Sequence, residues 1–369
     1  MRVLATGANG HLGANVVRAL LKRGYEVVPF VRQGSDLRGL QGLGLSYVYG
    51  DVMDAAALTA AAEGCDVMVH MAAVYRFWKQ DAAEVIQPAL VGTQNAFAAA
   101  KAAGIRRVVF TSSCWAAGVS DRPDKVLTPK DWNQDARNPY AVAKTESERA
   151  AWQLAEQLGI AMIAICPGAL LGPYDYRVTP STALIASFIS GSAPIYDGGL
   201  SDLEIGPVAE LHAAAVEHGK PGARYLATGE NAPVSRYGEI IANLTGVKPR
   251  ALPGGRTGLQ LVAALAEFGS SFTHAEPLIS RALASEVAGR YLYYDSSDTT
   301  REFGIAFSSA EQAIAACIRW LLHVGQIKPA LAAKLADRFP PDAREIRSAR
   351  MIRARCSSPP SRSDVTRAI

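Results

Sequence analysis

The segment Thr6-Gly7-Ala8-Asn9-Gly10-His11-Leu12-Gly13 constrains this chain more than any other, because of what stands on either side of it. Arg2-Val3-Leu4-Ala5 reads as a short buried strand. From Leu12 to Arg23 the apolar residues Leu12, Val16, Val17, Leu20 and Leu21 recur at helical spacing, and Gly24 closes the run as a C-cap. Three glycines therefore fall where a chain leaving a strand must turn tightly and let a pyrophosphate approach with no Cβ in the way. There, too, helix N-terminal N–H groups are aimed at negative charge. The segment is predicted to bind a dinucleotide, with Thr6, Gly7, Asn9, Gly10, His11, Leu12 and Gly13 around it.

The rest of the chain supports an α/β fold. Strands are expected at Glu26 to Val31, Ser46 to Tyr49, Asp66 to His70, Arg106 to Thr111 and Ile160 to Cys166, with helices over Ala55 to Glu63, Ala83 to Ala103 and Tyr140 to Leu158. This alternation predicts a Rossmann-like, doubly wound parallel sheet covered on both faces. Beyond Pro167 the rhythm breaks and Gly, Pro and Ser become more frequent. Helical stretches are expected near Ser181 to Ile189, Tyr237 to Asn243 and Leu259 to Phe268. Residues 203–228 read as strand, helix (Ala209 to His218) and strand (Arg224 to Thr228) returning to the main sheet. The expected organisation is a dinucleotide-binding domain of residues 1–167, rejoined by 203–229. A smaller, discontinuous substrate domain takes 168–202 and 230–330.

Composition limits the alternatives. With 369 residues and 49% hydrophobic content the chain can bury a large core. Its five cysteines lack disulfide or metal-type spacing, so no metal site is expected and a reducing cytoplasm fits. Strand character from Arg2 leaves no room for a signal peptide, and no apolar run approaches the ~20 residues of a membrane span. The formal charge of +4 arises largely from arginines 344, 347, 350, 353, 355, 362 and 367. They lie in a tail, residues 340–369, that is expected to be disordered. No nucleic acid is expected as a partner, and a homodimer is compatible with the sequence.

Residues at the carboxyl ends of the expected strands carry the chemistry. Phe30-Val31-Arg32-Gln33-Gly34, with Arg38 beyond, ends the second strand without the acid that would bind both adenosine-ribose hydroxyls. Guanidinium groups pair with a 2′-phosphate, so NADP(H) is expected over NAD(H), with Arg32 the contact. Asp51 is placed to accept from the adenine amino group. Val52, Ala72 and Ala73 extend the lining, and Pro167-Gly168 can meet the nicotinamide carboxamide with backbone. The pattern Tyr-x-x-x-Lys occurs twice, at Tyr75/Lys79 and Tyr140/Lys144. Tyr140 and Lys144 open a helix after the fifth strand and share one face, and Ser113 ends that strand. A phenol with an ordinary pKa of about 10 needs a nearby cation to give up a proton near neutrality. Tyr140 is thus the candidate acid, Lys144 its cation and ribose contact, and Ser113 the group that orients the carbonyl oxygen. Tyr75, Phe77, Trp78, Trp115, Tyr174 and Tyr176 are candidate walls of a pocket for a bulky apolar or aromatic carbonyl.

With its glycines at 7, 10 and 13, its triad and several further segments, the chain resembles the extended short-chain dehydrogenase/reductases, and in particular the dihydroflavonol reductase and cinnamoyl-CoA reductase group. The segments are Pro88-Ala89-Leu90-Val91-Gly92-Thr93-Gln94-Asn95, Pro167-Gly168-Ala169-Leu170-Leu171-Gly172-Pro173 and Arg224-Tyr225-Leu226. The resemblance implies a nicotinamide-dependent oxidoreductase acting on a small-molecule carbonyl. Two rivals stand beside it: a sugar-nucleotide epimerase or dehydratase, and a non-catalytic dinucleotide-binding protein. Cys114-Trp115 after Ser113 supplies none of the acids a dehydratase uses there, and Ala89 stands where sugar-nucleotide epimerases commonly have Asn. Pro207 replaces the Asp usual in a Val-x-Asp-Val-Ala segment. A binding protein would more often have lost the Tyr/Lys pair.

Overall fold

A computed structural model describes residues 1–79, 81–273, 277 and 279–340. Seven parallel strands form one sheet: β1 (Arg2–Thr6), β2 (Glu26–Val31), β3 (Val48–Tyr49), β4 (Val67–His70), β5 (Arg107–Thr111), β6 (Ala161–Pro167) and β10 (Arg224–Ala227). Their order is β10-β6-β5-β4-β1-β2-β3. The order reverses between β1 and β4, whose last residues, Thr6 and His70, lie in register. A ligand crevice is expected outside the carboxyl ends of the strands at such a switch point.

Alternation along each strand divides the core. Val3 and Ala5 of β1 face one side, with α1 (His11–Lys22) and α6 (Ile205–His218). Leu4 and Met68 face the other, under α2 (Ala55–Ala62), α3 (Ala83–Ala102) and α4 (Pro139–Leu158). Leu4 and Met68 are both fully buried, and truncating either to Ala removes packing worth about 2–5 kcal/mol.

After Pro167 the chain forms short pieces: β7 (Leu170–Leu171), α5 (Pro180–Ser190), β8 (Gly199–Leu200), β9 (Leu203–Glu204), β11 (Ala232–Pro233), α7 (Val234–Thr245) and α8 (Gly255–Thr273). Four more helices follow: α9 (Arg281–Val287), α10 (Ser297–Phe303), α11 (Ala310–His323) and α12 (Pro329–Leu335). Most of their buried apolar residues join Trp115 and Tyr140 in one core cluster, whereas Leu203 of β9 and Phe303 of α10 pack with α1 and α6.

Two expectations change. Of residues 203–228 only β10 joins the main sheet, whereas Leu203–Glu204 pairs with Leu170–Leu171. Two residues that run straight into a helix are too few to cross the sheet edge. That helix, α6, starts at Ile205 rather than Ala209 and carries Pro207 in its first turn. A first-turn N–H has no partner within the helix, so proline costs nothing there. The arginine-rich tail expected to be disordered lies, beyond Pro340, outside the described residues. No described helix is long and apolar enough to cross a membrane.

Candidate active site

The glycine loop is built for close approach. Gly7 has φ +66°, and a Cβ there would lie 2.8 Å from the Ala72 backbone. At Gly13 a Cβ would come within 2.2 Å of the Gly7 carbonyl oxygen, so only glycine lets α1 begin this close to β1. Gly10 caps α1 with extended backbone and no side-chain bond, so the first-turn N–H groups of α1 are offered to an anion. Across the crevice Gly168 donates its N–H to Ala227, and a Cβ would sit 2.8 Å from the Ser201 carbonyl. This cradle, which side chains would fill, fits a nicotinamide dinucleotide.

Other expected cofactor residues surround it with distinct tasks. The Thr6 hydroxyl accepts from the Met71 and Ala72 N–H groups and pairs with His70 Nδ1 at 2.9 Å, clasping the ends of β1 and β4 together. The His11 ring turns away from the loop: Nδ1 lies 3.7 Å from Asp175 Oδ2, and burial holds its pKa below the ordinary value. Asn9 donates to the Asp36 carbonyl oxygen. Asp51 Oδ1 accepts from Met53 N–H, while Asn95 donates to the Val52 carbonyl. Arg32 is exposed at the end of β2. Nearby, the Arg38 guanidinium grips Asp36 and holds its carboxyl below the usual range. Asp36 escapes a sequence reading because it lies five residues past the strand.

Ser113, Tyr140 and Lys144 come together at the carboxyl ends of β5 and β6. All three are nearly excluded from water, at 4%, 9% and 6% exposure. Asn138 caps α4 by accepting from Ala141 N–H, and Pro139 presets the first turn that carries Tyr140. Glu286 of α9 holds this cap in place by accepting from the backbone of Arg137 and Asn138. Lys144, one turn later, donates to the Thr111 carbonyl at 2.8 Å. Burial lowers its pKa to about 8. Burial raises that of Tyr140, opposed by a hydrogen bond from Ser113. Two buried histidines near Lys144 remain neutral: burial drives His70 down to about 3 and His212 to about 4. His212 in turn pairs with Thr111 Oγ1 at 3.0 Å.

Beneath the triad lies a network that the motifs did not reveal. Glu148, fully buried one turn after Lys144, accepts from Ser112 Oγ at 2.5 Å and from Arg224 Nε at 2.6 Å. Arg224 also donates to the carbonyls of Pro129 and Asp131, and its guanidinium lies 4.2 Å from the Trp132 ring. Ser112 precedes Ser113, and Arg224 sits on the edge strand β10, beyond β6. The network thus fixes the floor on which Ser113 and Lys144 stand.

The aromatic candidates divide into two groups. The Tyr75 ring lies 4.8 Å from that of Tyr140, and Phe77 lies 5.4 Å from Tyr140 and 5.7 Å from Trp115. Trp78 follows half-buried in the same loop. Tyr174 and Tyr176 stand elsewhere, against Trp320, with Arg18 over the Tyr174 ring and Arg38 over that of Tyr176. They flank α1 and do not join the rings around Tyr140. The second Tyr/Lys match separates too, since Lys79 pairs with Glu84 at the surface.

Comparison with known proteins agrees with this geometry. The profile of the NAD dependent epimerase/dehydratase family matches residues 3–222. A Synechocystis protein provisionally named a dihydroflavonol 4-reductase is 31% identical over 340 residues, covering 88% of this chain and 95% of its own. Sterol demethylase protein B of Methylococcus capsulatus is 32% identical over 338 residues, covering 89% of this chain and all of its own. Among solved structures, gox2253 superimposes with a TM-score of 0.77 at 29% identity, covering 88% of this chain and 99% of that one. The chain belongs to the NAD-dependent epimerase/dehydratase family, within the extended short-chain dehydrogenase/reductases.

Proposed function

We propose that this protein is an NADPH-dependent reductase that acts on the carbonyl of a bulky apolar or aromatic ketone or aldehyde, with Tyr140 as the general acid. The convergence of Ser113, Tyr140 and Lys144 under the rings of Tyr75 and Phe77 carries the reading. A bound nicotinamide supplies hydride, and the chain supplies the rest. The Ser113 hydroxyl donates to the carbonyl oxygen and stabilises the charge that develops on it. Tyr140 passes its phenolic proton to that oxygen. The Lys144 ammonium makes this proton mobile, while the nearby His70 and His212 are neutral. Pro167 and Gly168 offer backbone to the carboxamide, and residues 168–202 and 230–330 shape the substrate side.

Ser113 and Tyr140 are covered, so the loop bearing Tyr75 and Phe77 opens to admit substrate and, once closed, excludes water. Preference for NADPH is supported by the exposed Arg32 and by Arg38, which pairs with Asp36. The test is a panel of aryl and long-chain ketones and aldehydes, with methylglyoxal and a UDP-sugar as contrasts, followed by NADPH and NADH absorbance. Higher kcat/KM for the bulky apolar carbonyls with NADPH is expected. Conversion of the UDP-sugar without net NADPH consumption would instead establish an epimerase.

A further inference from the structure

The far side of Tyr75 is polar. While its ring packs on Tyr140, its hydroxyl lies 2.7 Å from Ser181 Oγ in the first turn of α5. Around that point gather Thr182 of α5, Asp175, Asp202 and Cys317 of α11, none more than 2% exposed. They belong to one site. Both carboxyl groups act electrostatically on the Tyr75 phenol and on the Cys317 thiol.

Three atoms of this cluster, Asp175 Oδ1, Thr182 Oγ1 and Asp202 Oδ2, are buried with no hydrogen-bond partner. The other Asp175 oxygen accepts from the Thr179 N–H and hydroxyl, and the His11 ring lies 3.7 Å from it with its pKa lowered by burial. Among the described residues neither carboxyl pairs with a lysine or arginine. Leaving such polar atoms buried and unsatisfied is costly. The Asp202 carboxyl responds by holding its proton, its pKa pushed up to about 7 by burial. Three unsatisfied polar atoms on the far side of the Tyr75 ring, which itself packs on Tyr140, call for hydrogen-bonding partners from outside the chain.

We propose that Asp202, Asp175 and Thr182 form a polar subsite of the reaction pocket, which takes a hydrogen-bond-donating group of the substrate, a hydroxyl or a protonated amine, at about a phenol's length from the carbonyl to be reduced. That the donor is carried by a carbonyl substrate rests on the reductase reading; the donor-binding site itself does not. A hydroxyl finds acceptors in both carboxyl groups, whereas an amine is favoured where Asp202 is ionised, so its affinity rises with pH through about 7.

The experiment compares phenyl methyl ketone with its para-hydroxy and para-aminomethyl derivatives. Binding to the NADP+-saturated protein is read by calorimetry, and turnover by NADPH absorbance. One or both derivatives are expected to bind the wild type about tenfold or more tightly than the parent. Their pH dependence then tells hydroxyl from amine. In Asp202→Leu the ratio of derivative to parent should fall towards one. Asp202→Asn, which keeps size and an acceptor, should retain part of the hydroxyl preference and lose that for the amine, and it serves if the Leu variant fails to fold. Equal binding of parent and derivatives by the wild type, or a preference that survives both substitutions, overturns the subsite. Selective binding without consumption of NADPH by any ketone would uphold the subsite and reject the reductase reading.

Discussion

The floor beneath the triad and the cluster behind Tyr75 treat buried polar groups in opposite ways. Around the sheet, Thr6 is tied to His70, Lys144 to the Thr111 carbonyl, His212 to Thr111 Oγ1, and Glu148 to both Ser112 and Arg224. On the other side Asp175, Thr182 and Asp202 each keep an atom without a partner. The first arrangement is complete before any ligand arrives, and it fixes the geometry on which proton transfer depends. The second is incomplete, and its missing partners describe what it is built to meet. The two Tyr/Lys matches obey the same division: Tyr140 and Lys144 belong to the finished framework, whereas Tyr75 stands at the border and Lys79 outside it.

The largest expected effect separates those two tyrosines. Tyr140→Phe should lower kcat/KM by about 10²–10⁴ while leaving NADPH affinity, measured by fluorescence titration, nearly intact. Tyr75→Phe should keep most of the activity. A dead Tyr75 variant beside an active Tyr140 variant would reverse the assignment.

Next comes the framework itself. Glu148→Ala leaves the buried Arg224 guanidinium without its carboxylate and should cost on the order of 3–5 kcal/mol in urea unfolding. A loss no larger than that at a surface pair such as Lys79–Glu84 would show that the network is not structural.

A smaller effect is expected at the adenosine end. Arg32→Ala should weaken NADPH binding by about 1–3 kcal/mol and leave NADH unchanged. Equal wild-type affinities for the two cofactors would remove the premise.

The smallest is a pH signature of the unfinished side. A carboxyl that holds its proton more tightly in the folded than in the unfolded chain stabilises the fold at acid pH. It loses that contribution as the pH rises from about 4 to about 7. Asp202→Asn should therefore gain a few degrees of Tm over wild type at pH 8 and little at pH 4.5. A gain independent of pH would show that Asp202 does not titrate in this range.

The same division explains what was legible in the sequence. Gly7, Gly10 and Gly13 declare a backbone geometry, and Val3, Leu4 and Ala5 a strand buried on both faces; local spacing decides both. Tyr140 and Lys144 were legible because one turn of helix aligns them. Glu148 and Arg224 are 76 residues apart, so although Arg224 stands in a segment shared with the family, nothing local announces that the two pair. Glu286 reaches the cap of α4 from a seven-residue helix, too short for periodicity to reveal. In α8 the periodic signal is blurred, because Leu261, Leu265, Phe268 and Phe272 are exposed while Leu259 and Ala263 are buried. Asp202 and Asp175 read as ordinary polar loop residues until the fold encloses them.

The central claim is that this site hands hydride to a carbonyl and a Tyr140 proton to its oxygen. It is tested most directly with NADPH deuterated at the transferring position and an aryl ketone, with product carbinol analysed by mass spectrometry for the wild type and for Tyr140→Phe. The wild type should place one deuterium on the carbinol carbon for each NADPH consumed, and label transfer should be slowed by about 10² or more in the variant. Unlabelled product, or equal rates in the two proteins, would contradict it.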